Sequence, residues 1–222
     1  MVELIGPEQI TPTTARKRLL IIAGPSGVGK ATITKALLQN PLIYRAKTNT
    51  TRPPRPGERV AGQYNFISHE EFEAKYANGE IMERAEVYGT GHLYGMSADL
   101  LSAAPDDKTF VLTEVDFNGA DFLRARFPGQ CISIFITAPP AELRRRIINR
   151  AQAEGRDPQD LDARLAKARE HMRRAANFDY LVINETGKLD AAIEQVGQII
   201  TAERLRIPPG MDLESAFFVD AE

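Results

Sequence analysis

The chain has 222 residues, a formal net charge of −2, 43% hydrophobic residues and a single cysteine. That length suffices for one α/β domain with a real core and small insertions. The charge balance excludes a global basic field for nucleic acid, and no apolar run has the length of a membrane span or the form of a signal peptide. Cys131, just before the apolar run Ile132 to Ile136, excludes a disulfide framework and reads as a small buried hydrophobe. A soluble, cytoplasmic protein is expected. Residues 1–16 are polar with two prolines and no clear period, and are expected to form a flexible leader.

The first strand is the apolar run Leu19 to Ala23, followed by Gly24-Pro25-Ser26-Gly27-Val28-Gly29-Lys30-Ala31-Thr32 and an amphipathic run, Ile33 to Leu38. Strand, glycine-rich loop and helix in that order are what a phosphate-binding P-loop requires. The glycines free backbone N–H groups to wrap a polyphosphate, Lys30 reaches its outer phosphates, and the helix adds a positive dipole end. A dinucleotide-binding turn fails on spacing, because the third glycine position counted from Gly27 is Thr32. The position after Lys30 should carry a hydroxyl for magnesium, and it is Ala31. Magnesium is therefore expected to be held largely by nucleotide phosphates and water.

From about residue 45 to 98 the pattern changes to an inserted subdomain. It holds a Pro/Gly/Arg-rich turn, an alternating run at Tyr64-Asn65-Phe66-Ile67, and a helix announced by Ser68 with Glu71 as a capping box. Core strands are expected at Thr109–Val115, Cys131–Thr137 and Tyr180–Ile183, with a helix from about Asn118 to Arg126 between the first two. An Arg-rich helix begins near Ala141, and a polar stretch, 151–156, precedes a helix start at Asp157-Pro158. Leu189 to Arg204 is a closing amphipathic helix, and 207–222 is a tail. Strands alternating with helices predict an α/β fold: a P-loop-type parallel sheet with helices on both faces, plus the insertion and a helical lid at about 150–160. The main unit is expected over 17–206.

Arginines outnumber lysines 20 to 8. The skew agrees with phosphate handling and equally with genomic composition, the reading preferred for most of these arginines. In Thr50-Thr51-Arg52-Pro53-Pro54-Arg55-Pro56-Gly57-Glu58, prolines stiffen a segment carrying two guanidinium forks. That makes either a clamp for a monoester phosphate or a solvated proline-rich turn. Asp116, just after a largely apolar strand, needs a partner or a ligand. Nine arginines lie between Ala141 and Ala175. Arg144, Arg145, Arg169, Arg173 and Arg174 fit a solvated face, whereas Arg146 and Arg150, four apart, share one helix face.

These segments together resemble the guanylate kinase family: the loop 24–32, the run Thr50 to Glu58, Gly62-Gln63-Tyr64-Asn65-Phe66, Tyr94-Gly95, Glu114-Val115-Asp116 with Asn118-Gly119, and Val182-Ile183-Asn184. The resemblance runs from about Arg18 to Arg204, and the paired arginines are far more specific than the P-loop. It implies phosphoryl transfer from ATP to GMP with Mg²⁺, giving ADP and GDP. Gly24, Ser26, Gly27, Val28, Gly29, Lys30, Ala31, Thr32 and, near adenine, Asn184 would hold ATP. Arg52 and Arg55 would hold the GMP phosphate with the hydroxyls of Tyr64 and Tyr94. Glu83 would accept from guanine N1–H and the exocyclic amine, and Thr48 would donate to O6. Asp116 would lie near the base and touch metal-bound water; no residue is assigned as a metal ligand. Glu114 stands where an aspartate is usual. Leu143, Arg146 and Arg150 match the lid-helix pattern and Arg164 a further arginine, so Lys30, Arg52, Arg146, Arg150 and Arg164 form the implied catalytic set. ATP and GMP are the implied partners, with neither nucleic acid nor membrane.

The family pattern frays at Ala31, at about two extra residues in 88–94, and at Met96, where a hydroxyl normally meets guanine. Ser97 is the expected substitute if the register shifts. His92 reads as a polar loop residue. Two other readings stay open: a kinase for another phosphorylated acceptor such as ribose 1,5-bisphosphate, and a non-catalytic protein-binding module. The paired-arginine run speaks against the first, and Lys30 with Arg146, Arg150 and Arg164 against the second.

Overall fold

The computed structural model describes residues 17–25, 27–54, 58, 62–86, 91–153, 166, 169–170 and 172–207, with backbone alone for 150–153. In chain order the elements are β1 (Arg18–Ala23), α1 (Lys30–Leu37), β2 (Ile43–Arg45), β3 (Thr48–Thr50), β4 (Tyr64–Phe66), α2 (His69–Ala77), β5 (Ala85–Glu86), β6 (Leu93–Met96) and β7 (Phe110–Glu114). Then follow α3 (Phe117–Arg126), β8 (Cys131–Thr137), α4 (Pro140–Ala153), β9 (Tyr180–Ile183) and α5 (Leu189–Arg204).

The main sheet has five strands in the order β2-β7-β1-β8-β9, all parallel. Its centre is apolar on both faces because helices cover both. Leu20 and Ile22 of β1 join a cluster with Ile33 and Leu37 of α1, Leu143 and Ile147 of α4, and Val196 and Ile200 of α5. Leu19 and Ile21 join the opposite cluster with Ala120 and Leu123 of α3. Each such fully buried aliphatic side chain contributes about 1.5–3 kcal/mol of transfer free energy. Among the described residues no helix is long and apolar enough to cross a membrane.

The insertion is a second sheet, β4-β3-β6-β5, with β3 parallel to β4 and antiparallel to β6. Its reverse face packs Phe72 of α2 on Ile81 and Leu93. Ser68 caps α2 as expected, its Oγ accepting from the Glu71 N–H at 3.0 Å. Helix α4 runs to Ala153, so the first three residues of the polar stretch 151–156 are helical. The expected helix start at Asp157-Pro158 lies outside the described residues.

At the amino edge of the main sheet, the end of α5 is fixed to β1. Glu203 is only 3% exposed, and its Oε1 accepts from the Tyr180 hydroxyl at 2.5 Å. Arg18 Nη1 donates to the Glu203 carbonyl at 2.9 Å and approaches Oε2 to 2.6 Å off the hydrogen-bonding direction. Burial alone would raise the Glu203 pKa, but Tyr180 and Arg18 outweigh it and hold the carboxylate below its usual range. Glu203→Ala removes the carboxylate that faces the partly buried Arg18 guanidinium and accepts from Tyr180, and is expected to lower the unfolding free energy by about 2–3 kcal/mol near neutral pH. A depressed carboxylate contributes stability above its unfolded pKa and loses it as pH falls through the folded value. Urea unfolding at about pH 7 and about pH 3 should therefore show the gap between variant and wild type shrinking in acid.

Candidate active site

The P-loop is shaped by close backbone approaches. Gly24 has φ 150°, and a Cβ there would sit 2.0 Å from the Ile136 carbonyl oxygen of β8. Gly27 and Gly29 take φ 85° and 91°, the left-handed region open to glycine. Gly29 is the N-cap of α1, and a Cβ on it would lie 2.6 Å from Asn184 Nδ2. Val28 is fully buried and anchors the loop in the core. Lys30 Nζ donates to the Gly24 and Pro25 carbonyls at 2.7 and 2.9 Å, so its ammonium lies against the loop. Ala31 and Thr32 are exposed in the first turn of α1.

Register carries the acidic strand end to the same edge, since Ile22 pairs with Glu114. Glu114 accepts from Arg45 Nη2 of β2 at 2.9 Å. Asp116 is exposed, and the partner its position demanded is a helix end: its Oδ1 accepts from the Gly119 N–H at 2.9 Å and caps α3.

On the insertion, Thr48 pairs with Tyr64 and Met96, and Thr50 with Phe66 and Tyr94. Arg52 lies 5.4 Å from the Tyr64 ring centroid and 5.7 Å from that of Phe66. Its Nε donates to the Tyr94 hydroxyl at 3.0 Å, its Nη1 to the Pro53 carbonyl at 2.8 Å, and its two terminal nitrogens fork onto Glu58 at 2.9 and 3.0 Å. That carboxylate raises the guanidinium pKa further. Tyr64 meets Tyr94 edge-on at 6.2 Å. Burial, ahead of the Tyr94 charge, pushes its phenol pKa up.

Gly95 of β6 permits the chain at 81–83 to lie on it: a Cβ would be 2.4 Å from Ile81 Cγ2 and 2.5 Å from the Glu83 carbonyl. Glu83 is half-buried beside it, and its pKa is pushed up to about 7, first by burial and then by the charge of Asp116. Met96 is 1% exposed and belongs to the core with Leu100 and Val111. Ser97, the expected substitute, meets Asn49 in the structure. Its Oγ accepts from Asn49 Nδ2 at 2.9 Å, and Asn49 alternates with Thr48 to the other face of β3.

On α4, the Cβ of Arg146 is 3.5 Å from where a Gly27 Cβ would be, which sets this residue beside the P-loop. Its Nη2 donates to Glu142 Oε2 and Thr186 Oγ1, both at 3.2 Å. Asn184 is 5% exposed and donates from Nδ2 to the Val28 carbonyl at 2.8 Å. Arg174 is more than a solvated charge: it pairs with Asp121 at 2.5 Å and lies 5.0 Å from the Phe117 ring centroid. Arg145 donates to Thr186 Oγ1 at 3.1 Å. Cys131 is half-buried, its Sγ against the Leu123 and Phe127 carbonyls, and burial pushes its thiol up to about 11. Ser26, Arg55, Arg164 and the Arg150 side chain lie outside the described residues. Sequence reasoning missed the roles of Glu58, Arg45 and Gly95. A carboxylate closing the two-arginine run was the available signal for Glu58.

A P-loop at the carboxyl edge of a parallel sheet, with an arginine–tyrosine cluster on an insertion and an Arg-bearing helix beside the loop, defines the class of P-loop phosphotransferases. The guanylate kinase family model matches residues 16–203. The guanylate kinase of Alkalilimnicola ehrlichii is 38% identical over 191 residues, covering 85% of this chain and 90% of that protein. That of Thiobacillus denitrificans is 36% identical over 211 residues, covering 94% and 97%. The crystal structure of guanylate kinase from Anaplasma phagocytophilum superposes with a TM-score of 0.69 at 28% identity, covering 91% of this chain and 94% of that one. The chain belongs to the guanylate kinase family. It is thus a guanylate kinase-type phosphotransferase.

Gly95→Ala is expected to push residues 81–83 off β6 and to destabilise the protein by about 1–3 kcal/mol. Thermal denaturation checks this, and an unchanged melting temperature would show that the contact is readily relieved.

Proposed function

We propose that this chain transfers the γ-phosphoryl group of ATP to GMP, with ATP phosphates in the loop 24–32 and GMP on the insertion face bearing Thr48, Arg52, Tyr64, Glu83 and Tyr94. The observation that carries the reading is geometric. Arg45, just before β3 of the insertion, donates to Glu114 at the carboxyl end of β7 at 2.9 Å, and Met96 of β6 packs in the core with Leu19 and Val111, so the insertion is joined to the sheet edge where the P-loop begins.

In the reaction a GMP phosphate oxygen forms a bond to the γ-phosphorus while the bond from that phosphorus to the β–γ bridging oxygen breaks, and ADP leaves. Little covalent work falls to the protein, so positioning and charge carry the catalysis. Arg52, braced by Tyr94 and Glu58, is preset for the GMP phosphate, and Arg55 is its proposed second fork. Lys30 and Arg146 both lie beside the loop and neutralise the migrating group, together with Arg150 and Arg164. Glu83, ionised, accepts from guanine N1–H and the 2-amino group, which adenine cannot reciprocate; Thr48 donates to O6. The lone acceptor Oδ1 of Asn184, buried and without a partner among the described residues, suits the amino group of adenine.

Ala31 offers magnesium no oxygen, Glu114 is committed to Arg45, and Asp116 keeps an exposed carboxylate at the edge. These residues fit an ion carried mainly by phosphates and water, with Asp116 reaching it through water. When bound, the ion neutralises charge on the β- and γ-phosphate oxygens. A lone unpaired cysteine fits a reducing compartment, which supports a cytoplasmic location.

A coupled ADP-release assay with GMP, dGMP, AMP and ribose 1,5-bisphosphate tests the reading. Turnover with GMP and dGMP is expected; turnover with none would support a binding module, and AMP turnover equal to GMP would remove Glu83 and Thr48 from base selection.

The Glu83 pKa near 7 sets a second test. Guanine needs the ionised carboxylate, so GMP binding releases a proton and affinity rises with pH between about 6 and 8. Glu83→Gln should weaken GMP by about tenfold or more and remove the part of the pH dependence that exceeds GMP's own phosphate titration. Calorimetry in buffers of different ionisation enthalpy reads both.

A further inference from the structure

We infer that Asn184 is a positioning residue whose side-chain amide holds the P-loop in the shape that receives the polyphosphate. The inference rests on the reading that ATP phosphates lie in this loop, and it adds a role for Asn184 distinct from any contact with the base. Asn184 follows the last residue of β9, and its backbone N–H donates to the Thr137 carbonyl of β8 at 2.8 Å. The residue is thus fixed to the edge of the main sheet before its side chain begins. From there Nδ2 reaches across 156 positions of sequence to the Val28 carbonyl at 2.8 Å, in a buried contact.

The geometry of the peptide unit turns this bond into an orientation for the loop. The Val28 carbonyl and the Gly29 N–H belong to one planar trans peptide, so they point in opposite directions. Drawing the carbonyl onto Asn184 therefore aims the Gly29 N–H away from β9, as a donor for a phosphate oxygen. The Val28 side chain is fully buried, so its residue is pinned at both the side chain and the carbonyl. The next residue is the N-cap of α1: the Gly29 carbonyl accepts from the Thr32 and Ile33 N–H groups at 3.1 and 3.0 Å. The amide also sits where a side chain on Gly29 would go, 2.6 Å from the position of its Cβ. Glycine at 29 and asparagine at 184 are thus one fitted pair. Oxygen-to-oxygen repulsion fixes which end of the amide faces Val28, since only the NH₂ can donate.

The role separates from base recognition by ligands that share phosphates but differ in base. Binding of ATP, of inosine triphosphate, which lacks the 6-amino group, and of inorganic tripolyphosphate would be measured by calorimetry, with GMP as the control. Asn184→Ala is expected to weaken inosine triphosphate and tripolyphosphate by about tenfold, the effect of one lost buried hydrogen bond, and ATP by at least that much because its base contact goes too, while GMP affinity changes by less than about twofold. Asn184→Ser, a smaller disturbance that keeps a donor, should fall between wild type and Asn184→Ala. A loss confined to ATP would assign Asn184 to the base and overturn the inference. A parallel loss of GMP affinity in both variants would make the residue a general prop and overturn it equally. Wild-type protein that binds none of the three polyphosphates would overturn the ATP reading and the inference with it.

Discussion

The close approach of Gly24 to the Ile136 carbonyl is the constraint on which the rest of the structure depends. A chain leaving a central strand can turn this tightly only where no side chain intervenes. Because it does, the loop stays on the carboxyl edge of the sheet, between the ends of β7 and β8. The groups around the loop then come from an edge already in place: Glu114 at the end of β7 with Asp116 just beyond it, Arg146 from the helix after β8, and Asn184 just past β9. Parallel register makes these ends coincide, and the two apolar faces of β1 hold the register.

The two halves of the site are organised differently. The loop half is backbone: glycines, a buried valine and carbonyls that receive Lys30. The insertion half is side chain, with Arg52 held by aromatic rings, a phenol, a carbonyl and a carboxylate. Glu58 has two effects on that arginine. It fixes the plane of the guanidinium, and it engages both terminal nitrogens, so an arriving phosphate must share or replace a bidentate partner. Glu83 carries a comparable tension, since the burial that shapes a pocket for a base also favours the protonated carboxyl that a guanine does not want.

Much of this was legible in the sequence where the signal is local. β8, β9 and α5 have the bounds that their apolar runs suggested, because buried parallel strands and amphipathic helices write their pattern continuously along the chain. The strands β2, β3 and β5 did not declare themselves: two or three residues carry no period, and their pairing is decided by partners far away. The P-loop and the arginine–tyrosine motif were readable for the same local reason. What Asp116 would bond to was not, because a carboxylate's need for a partner does not say whether a helix end or a ligand meets it. The Asn184 contact joins residues 156 apart and leaves no trace in either segment alone. Ser97 shows the converse, a hydroxyl adjacent in sequence that meets Asn49, whose side chain alternates with Thr48 to the other face of β3.

The Arg18–Glu203 junction has a topological consequence. It sets the start of β1 against the end of α5, so the first and last described elements meet at one place. That place is the amino edge of the sheet. β1 spans six residues, so about 20 Å separate the junction from the phosphate loop. A group joined directly to the start of β1 or the end of α5 therefore departs from the side of the molecule remote from the phosphate loop.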